Sequence, residues 1–432
     1  MKACCLKGEN RLMAYNIVLI AGSYYPNFSA TGNCIYQIAK CFVDKGHNVY
    51  MLSESPDGNE SFVEYEGQKI YRATSKRLKD LQMRRELNEH SLYGKGRIIL
   101  NKIYWALVKL FTRSGMEEGL VKGFYKRLED LRASGLKIDC VVPCCMPVEG
   151  VKAGYLFCSK YNIPLFPLLY DRYSDNRDFF RFTWTHKLKR RYAENYEKKM
   201  FDCSSMVYYI DNWKPYFEKY KRDNTLRVEH PLVVKRPAVE PLALREPTKI
   251  NAIYQGEINH QMRPPQAMLT AFSKIGETDH DVSLHIFARG NGVEDVEKAQ
   301  AADPKAIKFY GKVGKTEADR YYASANIQII LANRDKEIVS SKIFESVASG
   351  YPIVYFYFSE EELSYGLLKK YPLVLFVRQD KVEEETEKIR EWMYANCDKR
   401  VDFDIVSKAY DDATPDMVVD TSIDILNKGG RN

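Results

Sequence analysis

IQIILANRDKEIVSSKIFESVASGYPIVYF (327–356) runs from a short apolar segment through a polar loop and a short helical pattern to a glycine and a second apolar segment. The two apolar runs are the length of buried parallel strands, and Ile343, Phe344, Val347 and Ala348 share one arc of the helix between them. Ser340 or Ser341 is placed to cap the helix amides, Gly350 to end it in a left-handed turn, and Pro352 to prevent its continuation. The segment is therefore a β-α-β unit. Glu337 and Glu345 lie eight positions apart across its loop–helix junction, and Glu345 falls off the apolar arc, so the core does not require it. In a doubly wound sheet the loop after such a strand faces the ligand crevice, and the following helix start suits a phosphate. Lys342 lies in the first turn, with Arg334 and Lys336 just before it.

The same logic recurs along the chain. NIVLIAG (16–22) is an apolar run ending in glycine, followed by a loop, a helix with Ile35, Ile38, Ala39, Phe42 and Val43 on one face, and a second run, VYML (49–52). Further strand-like runs fall at 139–143, 163–171, 204–211, 249–257, 282–290, 306–313 and 326–332. Residues 228–247 carry four prolines and no helical period, as an interdomain linker does. A 432-residue chain is too long for one ordinary core and suits two. The expected fold is α/β, with two Rossmann-like β/α/β domains facing across a cleft. The expected boundaries are an N-terminal extension at 1–14, a first domain at 15–228, a linker at 229–248, a second domain at 249–400 and closing helices at 401–432.

Composition narrows the function. Net charge is +7 but unevenly placed: residues 1–240 sum to +13 and residues 241–432 to −6. Residues 72–137 alone reach +9, so the front half is suited to an anionic surface. No recognised nucleic-acid motif accompanies that charge, and no nucleic-acid partner is expected. The ten cysteines and seven histidines show no zinc-like spacing, so thiols in a reducing compartment and no metal are expected. Residues 84–113 interleave Ile98, Ile99, Ile103, Trp105, Leu107, Leu110 and Phe111 with Lys95, Arg97, Lys102 and Lys109. That pattern reads either as a packed helix or as one lying on an anionic leaflet, and the local charge favours the leaflet. A second stripe, Phe180, Trp184, Leu188, Tyr192, Tyr196 and Met200, recurs every four residues and reads as a packed helix or an interfacial one.

The motif and its flanks resemble the C-terminal domain of the family 4 (group 1) glycosyltransferases of the GT-B fold. Their signature is Glu-x7-Glu followed by a small-residue-Gly-x-Pro turn, matched here by EIVSSKIFE and SVASGYPIV. YQGEINHQMRPPQAMLTAF, SLHIFARGNG and IKFYGKVGKTEADRYYASANIQII resemble, in order, the family's diphosphate loop, its strand ending at the nucleotide base, and its base-contacting segment. IAGSYYPNFSATGNCIYQIAKCFVDKGHNV resembles its opening strand, glycine-bearing loop and first helix. The resemblance implies that Glu337 contacts the donor sugar's hydroxyls and Glu345 the ribose. It implies Arg263 and Lys342 on the diphosphate, with Gly32, Gly256, Arg289, Gly290, Val313, Ser340 and Ser341 around the donor. Asp171 falls near the acceptor hydroxyl, or else caps the next helix.

The activity so implied is retaining transfer of a hexose from a nucleotide-diphosphate sugar to a glycan or lipid-linked acceptor in surface-polysaccharide synthesis. Neither metal nor resident cofactor is implied. The implied place is the cytoplasm, at the inner face of the cell membrane. Two departures stand out: Glu257 occupies a position usually basic, and Ile338 and Val339 replace glycines after the first glutamate. They support the alternative of a non-catalytic nucleotide-sugar or glycan-binding protein at the membrane.

Overall fold

The continuous apolar run at 16–21 becomes the central strand of a sheet, buried at five of its six residues, because a parallel strand is covered on both faces. The structure is a computed structural model and describes residues 13–87, 91–112, 114–174 and 183–429. It divides into two units. One takes the chain up to Pro231 and again from Pro415; the other is Leu232–Thr414.

The first unit holds strands β1 (Asn16–Ala21), β2 (Asn48–Glu54), β3 (Phe62–Tyr65), β4 (Gln68–Ala73), β5 (Cys140–Cys145), β6 (Leu168–Leu169), β7 (Val207–Tyr209) and β8 (Thr225–Arg227). Their order is β3-β4-β2-β1-β5-β6-β7-β8, parallel throughout except for the β3–β4 hairpin. The run at 163–171 gives only the two-residue β6, plus a bridge from Leu165 to Val141. Pro164 and Pro167 flank that bridge and remove the donors a longer strand needs. Of the four-residue stripe, Tyr196 and Met200 are buried, so this end packs on its own unit. Phe180, Trp184 and Leu188 lie outside the described residues and side chains.

The helix Pro415–Asn427 completes this unit. Tyr208 Oη lies 2.7 Å from Ser422 Oγ and donates to the Val418 carbonyl at 3.1 Å. Lys45, just past the helix Ala30–Asp44, pairs with Asp416 at 2.8 Å and with Asp420.

The second unit holds β9 (Ile250–Glu257), β10 (Val282–Arg289), β11 (Ile307–Gly311), β12 (Ile327–Leu331), β13 (Ile353–Tyr357) and β14 (Val374–Arg378). All pairs are parallel, in the order β11-β10-β9-β12-β13-β14. The chain steps outward from β9 to β11, then returns to build β12 on the other side of β9. The order reverses between β9 and β12, where a doubly wound sheet opens its ligand crevice. Residues 232–247, expected as a linker, lie along this unit. Leu242 N–H donates to the Arg320 carbonyl at 3.1 Å, and Ser324 Oγ to the Leu242 carbonyl at 2.7 Å.

One half-buried carboxyl in the first unit has a measurable consequence. Glu54 ends β2, where burial and the nearby Glu149 push its carboxyl up to about 7, with Arg77 opposing and Glu117 adding. A carboxyl raised in the folded state is ionised more easily when unfolded, so stability is lost as pH rises from about 4.5 to 7. Glu54→Gln is expected to stabilise the protein at pH 8 by up to about 3 kcal/mol and to leave stability at pH 4 unchanged. Urea unfolding at the two pH values checks this; equal gains at both would refute the assignment.

Candidate functional site

The loops after β9 and β12 are tied together by the residues the motif brings there. After Glu257 the chain makes a tight turn. Asn259 N–H donates to the Arg263 carbonyl at 3.0 Å and Arg263 N–H returns the bond at 2.7 Å. The Asn259 side-chain oxygen accepts from Gln261 and Met262 amides, the local bonding that favours Asn in turns. Arg263 Nε and Nη2 both donate to Asn333 Oδ1, at 3.2 and 2.8 Å. Asn333, just past β12, donates to the Ile338 carbonyl at 3.2 Å, and Arg334 N–H donates to the Met262 carbonyl at 2.8 Å. The guanidinium is thereby fixed at the reversal point of the sheet.

A pocket opens there, lined by Arg263, Lys342, Ser340, Glu345, Arg236 and Asp319, with Tyr254, Tyr322 and Ile329 to Leu331 among its walls. Arg236 Nη2 lies 3.4 Å from Glu345 Oε1 and its Nη1 3.4 Å from Asp319 Oδ1. Three cations thus meet two carboxylates, leaving a positive balance. Burial pushes the Tyr254 hydroxyl up to about 12, against the pull of Arg263. Burial also raises the Tyr322 hydroxyl, with Glu345 and Asp319 adding to the shift. Both phenols are neutral donors at ordinary pH. The pocket can hold a doubly negative group on Arg263 and Lys342 and a polyol against Glu345.

Of the candidate residues, Arg263, Lys342, Ser340 and Glu345 meet in this pocket. Glu337 does not line it. It is exposed on the loop, and its N–H donates to Asp335 Oδ1. Ser341 precedes the helix Lys342–Ala348 without a side-chain capping bond. Ser340 contributes instead through its carbonyl, which accepts from Ile343 N–H at 3.0 Å. Gly350 is left-handed at φ +76, and an added Cβ would lie 2.5 Å from the Val401 carbonyl oxygen. Gly256 adjoins the pocket at the end of β9, where a Cβ would come within 2.9 Å of the Tyr254 hydroxyl.

Arg289, Gly290 and Val313, in the same unit, do not line the pocket. Arg289 is exposed at the end of β10, 3.8 Å from Glu257, so the unusual acid there has a cation beside it. Gly290 has φ +121. Val313 packs half-buried against the cluster of Leu244, Ile253, Phe287 and Ala325. In the first unit, the Gly32 amide is taken by the Ser29 hydroxyl at 3.0 Å, and a Cβ there would lie 2.2 Å from the Ser23 carbonyl oxygen. Close packing therefore accounts for this glycine. Asp171 follows β6, and desolvation raises its carboxyl. Arg172, Tyr173 and Ser174, which follow it, are not helical, so Asp171 is not the N-cap of a helix beginning there.

Arg236, Asp319 and Tyr322 are pocket residues that sequence reading missed. Arg236 lies in a proline-rich stretch with no period to mark it. Asp319 and Tyr322, three apart on the helix Lys315–Tyr322, share a face, the one signal that pointed to them.

No family model and no curated protein sequence matches the chain. Solved structures do match in fold. Sucrose-phosphate synthase from Thermosynechococcus elongatus aligns with a TM-score of 0.55 at 11% identity, covering 96% of this chain and 98% of that one. An alpha,alpha-trehalose 6-phosphate synthase from Burkholderia multivorans aligns at 0.53 and 10%, covering 96% and 97%. The catalytic domain of starch synthase IV from Arabidopsis thaliana, bound to ADP and acarbose, aligns at 0.56 and 9%, covering 95% and 100%. The likeness is one of fold: two parallel-sheet α/β domains of the GT-B class.

Proposed function

We propose that this chain is a glycosyltransferase that moves a hexose from a nucleotide-diphosphate sugar to a hydroxyl of a glycan or lipid-linked acceptor, with retention at the anomeric carbon. The observation that carries the reading is the convergence of Arg263, Lys342 and Glu345 on one pocket where the strand order of the second sheet reverses. In this reading the donor's diphosphate lies on Arg263 and Lys342 and its ribose hydroxyls on Glu345. Glu337, on the same loop, takes hydroxyls of the hexose, and Asp171 belongs to the acceptor side. The bond from the anomeric carbon to the diphosphate oxygen breaks, and its electron pair goes to the diphosphate. The acceptor hydroxyl oxygen forms the new bond on the same face of the sugar, and its proton passes to the departing diphosphate oxygen. Charge that grows on the leaving group is matched by cations already in position, which is where electrostatic catalysis acts most strongly. Those side chains do what a divalent ion does elsewhere, so neither metal nor cofactor is part of the proposal. Synthesis of a surface polysaccharide is the setting that fits such an acceptor.

A thermal-shift screen against a panel of nucleotide sugars, with assay of released nucleoside diphosphate, tests this. A donor at a hundred times its Kd stabilises the folded state by about 2.7 kcal/mol, and that donor should also be cleaved or transferred. Stabilisation without any release would favour the non-catalytic binding protein; no stabilisation by any nucleotide sugar would overturn both readings.

A further inference from the structure

We propose that the helix Leu92–Phe111 of the first unit docks on an anionic lipid surface through its outward face. This inference is independent of the transfer reaction. One side of the helix is fixed to the protein: Gly94 and Ile98 are buried, and Trp105 Nε1 and Asn101 Nδ2 both donate to Asp80 Oδ2, at 2.8 and 3.0 Å. Asp80 lies on the helix Lys76–Glu86, so the orientation of the longer helix is set. With about 100° of turn per residue, Leu92, Ile99, Leu100, Ile103, Leu107 and Phe111 fall within an arc of about 120° on the opposite side. They are 90, 55, 68, 50, 48 and 81% exposed. A surface helix ordinarily turns its apolar stripe inward; this one carries a stripe outward along its whole length, about 30 Å.

Charge identifies the occupant. Exposed Lys95 and Lys102 border the arc on one side and Arg97 on the other, and no Asp or Glu occurs from Ser91 to Thr112. Two copies paired face to face across a twofold axis would bring like cationic borders together with no acid on the helix to answer them. An anionic leaflet answers both features: acyl chains take the arc and headgroups take its borders. No helix among the described residues is long and apolar enough to cross a membrane, so the helix lies in the interface.

Flotation of the full chain with vesicles of phosphatidylcholine alone, or mixed with phosphatidylglycerol, tests this. Wild type should float with the mixed vesicles and not with phosphatidylcholine alone. Leu100→Glu with Ile103→Glu should abolish flotation while leaving the melting temperature unchanged, since both side chains are exposed. Lys95→Gln with Lys102→Gln should lower partitioning roughly 30-fold, from about 1 kcal/mol per cation near an anionic surface. Absence of flotation in wild type overturns the proposal, as does flotation that survives either double variant. A wild-type dimer in size exclusion that the Glu variant splits assigns the face to a second copy instead and also overturns it.

Discussion

Arg263→Ala should lower transfer from the preferred donor by about 10²–10³-fold in kcat, the usual cost of removing one preorganised donor to a developing charge. The effect is expected on kcat because the leaving diphosphate gains charge in the transition state, so the missing interaction is strongest there. The geometry makes the loss hard to repair. Both nitrogens that fix the guanidinium donate to one acceptor, Asn333 Oδ1, and Lys342 comes from a different loop. Arg263→Lys should recover only part of the rate, since an ammonium keeps the charge and loses the fork. Release of nucleoside diphosphate under saturating donor measures it, and a rate within threefold of wild type would remove Arg263 from the proposed chemistry.

Glu345→Gln should instead act on binding. A hydrogen bond to a charged group contributes about 1.5–3 kcal/mol, so donor KM should rise roughly 10- to 150-fold with kcat little changed. Glu345 also holds Arg236, which reaches Asp319 with its other nitrogen. Arg236→Ala alone should weaken donor binding less than Glu345→Gln. The double variant should cost less than the sum of the two, because residues in one ion-pair network couple. Strict additivity in that cycle would mean that the pair does not position the carboxylate, and intact donor affinity in Glu345→Gln would exclude the ribose role.

Much of this arrangement was legible in the residues. Continuous apolar runs such as 16–21 and 327–331 marked the central strands, since burial on both faces leaves no polar alternation to confuse the pattern. The Gly350–Pro352 turn marked the end of the motif helix. Edge strands were less visible: β3, β8 and β14 are short and only partly buried. At the site, Lys342, Ser340 and Glu345 could be named because each sits at or near a helix start that follows a readable strand, and Arg263 only through the resemblance of its loop. Glu337 could not be placed, because a loop residue eight positions from its partner carries no period to say which way it faces. Arg236 was invisible for another reason. Its contribution depends on residues 232–247 lying against their own unit, a tertiary fact that proline content does not encode. The apolar arc of the helix Leu92–Phe111 was legible as a pattern, but only its contacts with Asp80 show that the arc faces out.

The second unit is one unbroken stretch of chain, whereas the first needs the helix Pro415–Asn427, made after it. On a ribosome, then, the order of completion is the reverse of the order of the numbering. Domains fold as units as they emerge, so the second sheet can finish while the earlier one still waits for the partner of Tyr208. Until the codons for Pro415–Asn427 are read, the first unit exposes the side of the helix Ala30–Asp44 that this later helix covers. Termination between Thr414 and the end of that helix would therefore leave the second unit whole and damage the first, although most of the first is made earlier.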